Sequence, residues 1–339
     1  LGLLSRPCIA SKRWVWEQYD HMVQTNTVVF PGSDAAVLRI RGVKRGIAVT
    51  TDCNARKVYL DPYTGSRMAV YEAARNLVCS GARPTAVTDC LNFGNPEKPE
   101  AFWQFRESVR GLADACEELS TPVVSGNVSF YNETPESAIY PTPVVGMLGV
   151  LEDVHDHLTS AFREAGDRII LLAAEWPEDL WPALSGSELQ VMLTGEPFGP
   201  LPGLNAHRQK ALFAAILELA ASRVLSSAHD VSEGGLAVCL AESCIAGGTG
   251  AVVDLRLPGP VVPSLYGELP GIVLVSAPAS RAPEILKVSG SHGVLAVELG
   301  EVGGPDIVIR AEGAELVRTS VAEATRVWES AIPAAMDTI

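Results

Sequence analysis

Carboxylates and carboxamides stand at the ends of apolar runs along this chain, where a fold leaves such groups free to hold a ligand. Asp34 follows the turn-forming "PGS", and Asp52 closes the run "GIAVTTD". Glu72 and Asn76 are spaced i,i+4, so a helix puts both on one face. Asp89 ends the run "TAVTD", and Asn127 follows "TPVVSG". "HDVSEGGL" (229–236) sets His229, Asp230 and Ser232 just ahead of a helical run. Hard oxygen donors suit Mg2+, and a helix N-terminus favours phosphate. The set fits a magnesium–nucleotide site. Each residue also has an ordinary structural reading. Glu72 and Asn76 fit a solvated helix face, and Asp89 fits a turn. Asp230 or Ser232 fits an N-cap with Glu233 in the first turn. His229 fits a packed core position, and glycines 32, 126, 234 and 235 fit tight turns.

The common alternatives are missing from the sequence. There is no GxxxxGK[ST] loop, no GxGxxG after a strand and no GxSxG elbow. "SGNVSFYNET" (125–134) carries two N-glycosylation patterns, at Asn127 and Asn132. The same letters read as a loop after a buried strand, with Gly126 admitting an anion and Asn127 offering an oxygen to a metal. Cysteine usage bears on that choice. The seven cysteines form no CxxC pair, and most sit among apolar neighbours. Reduced core thiols and a cytoplasmic setting are expected, and a zinc site is not.

The elements that position these residues follow from periodicity. Residues 34–51 alternate around a glycine turn, as a hairpin does. "SRMAVYEAARNLVCSGARP" has helical period, with an apolar stripe through Val70, Ala73, Ala74, Leu77 and Val78. Ser66 is its expected N-cap, and Gly81 and Pro84 end it. "TAVTDCL" reads as a strand, 100–119 as a helix, and "TPVVSG" and "PTPVVGMLGVL" as strands. The pattern breaks near 152–166. Beyond it, "DRIILLA", "LSSAHD", "GAVVDL", "GIVLVSA" and "VLAVEL" read as strands, with helices at 205–224 and 233–246. Strands and helices alternate in both parts, which predicts two α/β (α+β) domains, at 1–155 and 156–339. The 339 residues, 47% hydrophobic, suffice for two domains with a core each. No apolar run approaches the ~20 residues needed to span a membrane. A formal charge of −14 argues against nucleic acid, though not against a nucleotide whose charge Mg2+ offsets. The first residue is Leu1, as in a processed chain or a piece of a longer one.

Taken together, "KRWVWEQYDHMVQTNTV", "TTDCNARKVYLDPYTGSRMAVYEAARNLVCSGARPTAVTDCLNFGNPEKPE", "SGNVSFYNET" and "HDVSEGGLA" resemble phosphoribosylformylglycinamidine synthase, small stand-alone type. "HDVSEGGL" is shared across the wider aminoimidazole ribonucleotide synthetase-like superfamily, and the stretch 47–134 is the more specific. The resemblance implies an aminoimidazole ribonucleotide synthetase-like two-domain unit, a β-sheet/helix domain followed by an α/β domain. It implies two tandem copies of that unit, of which this chain looks like the second. The first copy would carry a His-Asn-His-Pro-type catalytic motif and a Glu-Ser-Gln substrate grip. At those positions this sequence has "TTDCNARKVYLDP", without histidine, and "YGELPG" (266–271). No catalytic residue is therefore expected in this chain.

The implied reaction is ATP-dependent. ATP phosphorylates the amide oxygen of formylglycinamide ribonucleotide, and ammonia then displaces phosphate to give the amidine. The implied partners are the first synthetase half, a glutaminase subunit supplying ammonia and a small bridging subunit. By resemblance Asp89 and Gly126 touch ATP, Asn127 is a magnesium ligand facing the same ligand as Asp89, and Ser129 contacts substrate. Ser33, Asp34, Glu72, Asn76, Asp230 and Ser232 resemble an auxiliary site for ADP with Mg2+. There Asp34, Glu72, Asn76 and Asp230 are the metal ligands, and Ser33 and Ser232 touch the nucleotide. The alternative is a catalytically inactive Mg-nucleotide scaffold supporting the other half.

Overall fold

β-Branched and aliphatic runs pair into two mixed sheets, and the helices pack between and around them; the computed structural model describes residues 1–337. The first sheet comprises β1 (Thr27–Val29), β2 (Ala36–Arg39), β3 (Gly46–Asp52), β4 (Arg83–Asn92), β5 (Val123–Ser129) and β6 (Thr142–Leu151). Its order is β1-β2-β3-β6-β4-β5, and β4 and β5 are its parallel pair. The second sheet comprises β7 (Arg168–Ala173), β8 (Ser227–Asp230), β9 (Ala251–Leu255), β10 (Ile272–Ala277), β11 (Leu295–Val302), β12 (Asp306–Ala311) and β13 (Ala314–Ser320). Its order is β13-β12-β9-β11-β7-β10-β8, with β9 and β12 parallel. The helices are α1 (Arg13–Trp16), α2 (Ala55–Leu60), α3 (Pro62–Cys79), α4 (Pro99–Leu119), α5 (Glu188–Thr194), α6 (Ala206–Ala221), α7 (Gly235–Gly247), α8 (Val261–Tyr266), α9 (Ala282–Ser291) and α10 (Val321–Met336).

The hairpin read over 34–51 is β2–β3, and both helices expected in the first part are present as α3 and α4. The start of α3 differs from expectation. Asp61 is the N-cap: its carboxylate accepts from Thr64 N at 3.0 Å and from Thr64 Oγ1 at 2.8 Å, with Pro62 in the first turn. Pro62 cannot donate, and no donor is needed at that position. Ser66 lies inside the helix and is buried. The face carrying Glu72 and Asn76 is not solvated either. Glu72 is buried and Asn76 half-buried, and Asn76 pairs with Asp52 at the end of β3.

The segment "SGNVSFYNET" also differs. Gly126, Asn127 and Ser129 do not sit on a loop after a buried strand; they belong to β5 itself. β5 is the sheet edge, and Val123 (48%), Val124 (69%) and Val128 (48%) are exposed there. Gly126 lies opposite Asp89, and a Cβ at that position would press on the Asp89 carboxylate.

The cores are less separate than two domains of the usual kind would have. β7 alternates its side chains between them. Ile170 and Leu172 join Val37, Ala48, Leu77 and Val145 of the first sheet in one buried cluster. Ile169 and Leu171 join Leu236, Ile307 and the N-terminal Leu3, Leu4 and Ile9 in the other. The first residues of the chain thus return to the second sheet. Trp328 of α10 donates its indole N–H to Ile9 O at 2.9 Å, and Ser11 N donates to Trp328 O at 3.0 Å.

Candidate functional site

Asp34 is placed by the turn before β2, where Gly32 adopts φ +113°. Its carboxylate accepts from His229 Nδ1 at 3.0 Å and from Asp230 N at 3.0 Å, reaching β8 across the two sheets. His229 is held from the other side by Glu242 of α7, at 3.3 Å from Nε2. Burial alone lowers the imidazole pKa, but the Asp34 carboxylate outweighs it and holds the ring well above its ordinary range. A charged His229 therefore bridges two carboxylates.

The end of β3 meets the middle of α3. Asn76 Nδ2 donates to Asp52 Oδ2 at 3.1 Å. Burial, with Glu72 and Glu233 nearby, pushes the Asp52 carboxyl well up. Burial, with Glu233 facing it, pushes the Glu72 carboxyl up to about 8. The cause is common to both: acids gathered in a dry place raise the cost of each negative charge. Glu233 accepts from Asn54 Nδ2 at 3.2 Å. Ser33 Oγ accepts from Ser160 N at 3.1 Å.

These groups wall one cavity of about 730 Å³, of a size that takes a nucleotide. Ser33, Asp34, Glu72, Asn76 and Ser232 all line it. Asp230 does not. It sits behind the wall, where the Arg75 guanidinium grips it through Nε and, at 3.0 Å, through Nη2. Burial pushes the Asp230 carboxyl up, and Arg75 opposes the rise without cancelling it. The far wall comes from Lys12 and Trp16 of the N-terminal segment and from Thr325 and Trp328 of α10.

Glu242 and Trp328 carry no local mark in the sequence that ties them to this set, and Lys12 lies in the motif stretch "KRWVWEQYDHMVQTNTV" without a role there. Asp52 and Glu233 had a signal, a strand end and a helix start beside the other acids.

The donor chemistry of the lining fits Mg2+: Asp34, Asp52, Glu72 and Asn76 offer hard oxygens, and the raised acids are short of positive charge. Among the described residues, however, no group of three or more His, Cys, Asp or Glu side chains is already gathered to hold a metal ion. Asp34 is engaged by His229 and Asp230 by Arg75.

Asp89, Gly126, Asn127 and Ser129 form a second group, away from this cavity, along the β4–β5 edge. Burial raises the Asp89 carboxyl pKa, and the backbone N–H of Asn127 opposes the rise. Asn127 lies beside Cys90, with Nδ2 at 3.9 Å from Sγ. Successive strand residues alternate faces, so the Asp89 and Asn127 side chains leave opposite faces of the sheet. The expectation that both face one ligand is not met: a shared ligand would have to lie around the sheet edge. Ser129 Oγ is 3.3 Å from Asn132 Oδ1. Asn132 is itself tied to Phe93 O at 3.0 Å and Ser129 O at 2.9 Å.

Comparison with known proteins agrees with this architecture. The family described as AIR synthase related protein matches with its N-terminal domain over residues 32–151 and its C-terminal domain over 164–311. Phosphoribosylformylglycinamidine synthase subunit PurL of Alkaliphilus metalliredigens is 48% identical over 99% of this chain, and that of Moorella thermoacetica 47% over 99%. The chain spans 45% of the length of each of these relatives. Among solved structures, Thermotoga maritima PurL with FGAR matches at TM-score 0.74 and 21% identity, over 88% of this chain and 49% of that one. The same protein with ADP matches at 0.72 and 19%, over 91% and 49%. The PurLQS structure from Thermotoga maritima matches at 0.70 and 20%, over 87% and 46%. At these identities the structures speak for the fold. With both of its domains matched in order, the chain belongs to the AIR synthase related family.

Proposed function

We propose that this chain is the nucleotide-holding second half of a phosphoribosylformylglycinamidine synthase, acting in the conversion of formylglycinamide ribonucleotide to its amidine in purine biosynthesis. The observation that carries the reading is the acid-lined cavity, where six carboxylates, from Asp34, Asp52, Glu72, Glu233, Glu242 and Glu329, face one space. Mg2+ would supply the positive charge that lets nucleotide phosphates enter such a space. Asp34, Glu72 and Asn76 would hold it, Ser33 and Ser232 would meet the nucleotide, and Asp230 would act from behind through Arg75. The relatives' names, their length of about twice this chain and the solved complexes with ADP and FGAR support the reading.

The exposed β5 edge supports a partner half. Gly126 for ATP, Asn127 for magnesium and Ser129 for substrate lie on a strand whose valines are exposed, with Asp89 for ATP on β4 beside it. The first synthetase half is the proposed cover. A glutaminase subunit and a small bridging subunit are the further proposed partners, in line with the PurLQS assembly. The cytoplasm is the proposed location; no helix among the described residues is long and apolar enough to cross a membrane.

The second reading, an inactive Mg-nucleotide scaffold, has its own support. "TTDCNARKVYLDP" and "YGELPG" stand where the resemblance puts the catalytic histidine motif and the substrate grip. Here they meet as a buried ion pair, Lys57 Nζ to Glu268 Oε2 at 3.2 Å. Calorimetric titration of the 339-residue chain with Mg-ADP tests the cavity. Binding that Asp34→Asn weakens about tenfold or more is expected, the size of effect that a lost charge-assisted contact has. No heat and no thermal shift at millimolar Mg-ADP would remove the nucleotide reading. Amidine formation by the isolated chain would remove the scaffold reading.

A further inference from the structure

Behind the cavity lies a buried ionic chain that nucleotide binding does not by itself require. Glu268, in the loop after α8, is fully buried. Its Oε1 accepts from Gly234 N at 3.0 Å and from Glu188 N at 2.8 Å. Its Oε2 faces Lys57 Nζ at 3.2 Å. Lys57 is buried too; burial lowers its pKa, but Glu268, followed by Glu72 and Glu233, raises it further, so it remains charged. Three residues earlier, Asn54 caps α2 by accepting from Lys57 N at 3.3 Å, and its amide donates to Glu233 at 3.2 Å.

The segment held by these contacts is the turn Ser232–Gly235. Gly234 and Gly235 have φ +80° and +71°, two left-handed residues in succession. Glycine has little intrinsic preference for such a path and loses much entropy in taking it, so the turn needs fixing from outside. A Cβ on Gly235 would lie 2.7 Å from Leu265 O and 2.8 Å from Gly267 O, so the turn is pressed against the loop that carries Glu268. Ser232 and Glu233, on its leading side, are cavity residues.

We propose that Lys57 and Glu268 are positioning residues: a clasp between α2 and the Glu268 loop that fixes the Ser232–Gly235 turn and so sets Ser232 and Glu233 in the cavity. The inference rests on the Mg-nucleotide reading for its functional consequence, but not for its geometry. A carboxylate can accept both amide bonds while pairing with Lys57. A glutamine keeps the acceptor and loses the charge. An alanine loses both.

Two readouts test it on the whole chain: amide hydrogen exchange at 232–235, and the Kd for Mg-ADP. Glu268→Ala should speed exchange of the Gly234 amide about 100-fold, as local opening replaces a buried bond, and weaken Mg-ADP about tenfold. Lys57→Met with Glu268→Gln, which still accepts both amide bonds but has no link to α2, should fall between wild type and Glu268→Ala, with Mg-ADP weakened about threefold, and wild-type values in both readouts would overturn the part given to Lys57. A merely structural role predicts a lower melting temperature in Glu268→Ala with exchange at 232–235 and Kd unchanged, and that result overturns the clasp. If Glu268→Ala does not fold, Lys57→Met alone decides. It leaves Glu268 without its anchor, and unchanged exchange and Kd would overturn the proposal. If wild type binds no Mg-ADP, the nucleotide reading falls, and exchange at 232–235 still decides the clasp.

Discussion

Replacing Arg75 with methionine should reveal how the two sheets are held together. Arg75 is among the largest fully buried side chains, and it joins α3 to β8 through Asp230. Methionine fills much of the space but leaves the Asp230 carboxyl without its cation. At 3.0 Å and an effective dielectric of ~20 the lost attraction is about 5–6 kcal/mol before desolvation is counted. The variant can avoid a bare charge by protonating Asp230, which for an ordinary aspartate costs about 4 kcal/mol at pH 7. Both figures agree with the ~3–5 kcal/mol that breaking a buried pair costs.

The sign of the pH dependence follows. In the variant the native state holds a proton on Asp230 that the unfolded state releases near pH 4, so stability falls by about 1.4 kcal/mol per pH unit above that. In wild type Arg75 opposes the rise in the Asp230 pKa, so Asp230 contributes less of this slope there, and the gap between the two widens as pH rises from 5 to 7. Urea denaturation read by tryptophan fluorescence measures it, because Trp103 reports on α4 and Trp328 on α10. Arg75→Met with Asp230→Asn should recover part of the loss by removing the orphaned charge. A loss below about 1 kcal/mol, the size of an exposed pair, would refute the reasoning. So would a gap that does not change with pH.

Two further outcomes are expected. Glu72, raised from an ordinary 4.5 to about 8, favours the protonated native state, so metal-free protein should lose stability as pH rises from about 5 to 8, by at most about 5 kcal/mol from this group. Glu72→Gln should flatten that slope in thermal melts across pH. In a protein carrying both halves, Asn127→Ala should cut amidine formation about 30- to 1,000-fold, the effect of about 2–4 kcal/mol of lost transition-state stabilisation. Its melting temperature should hold, since Asn127 lies on an exposed strand; near-normal turnover would make it an ordinary strand residue.

Local signals carried far in this chain. The alternation over 34–51, the period of 66–79 and the Gly81 stop set a hairpin and a helix that the structure keeps. The motif stretches pointed to a family whose two domains match in order. Five of the six residues resembling the auxiliary nucleotide site do meet at one cavity. The hairpin and the helix rest on short-range spacing, which a linear sequence displays directly; the family and the grouping of the site residues rest on the resemblance of the motif stretches.

The tertiary structure decided what depends on distant partners. Asp230 looked like a ligand beside Ser232, but Arg75, 155 residues away in sequence, turns it into a structural anchor. Glu72 and Asn76 looked solvated because their face is polar, yet they line a cavity beside Asp52 and Glu233, where burial and Glu233 raise Glu72. "TPVVSG" looked like a buried strand because it is apolar. Its place at the sheet edge leaves it open, and strand alternation separates Asp89 from Asn127. Trp328 and Glu242 carry no local mark of a site; the chain's return to the second sheet and the docking of α7 bring them there. Periodicity reports which face of an element is apolar, and only the packed fold determines what that face meets and which charges are left to neutralise one another.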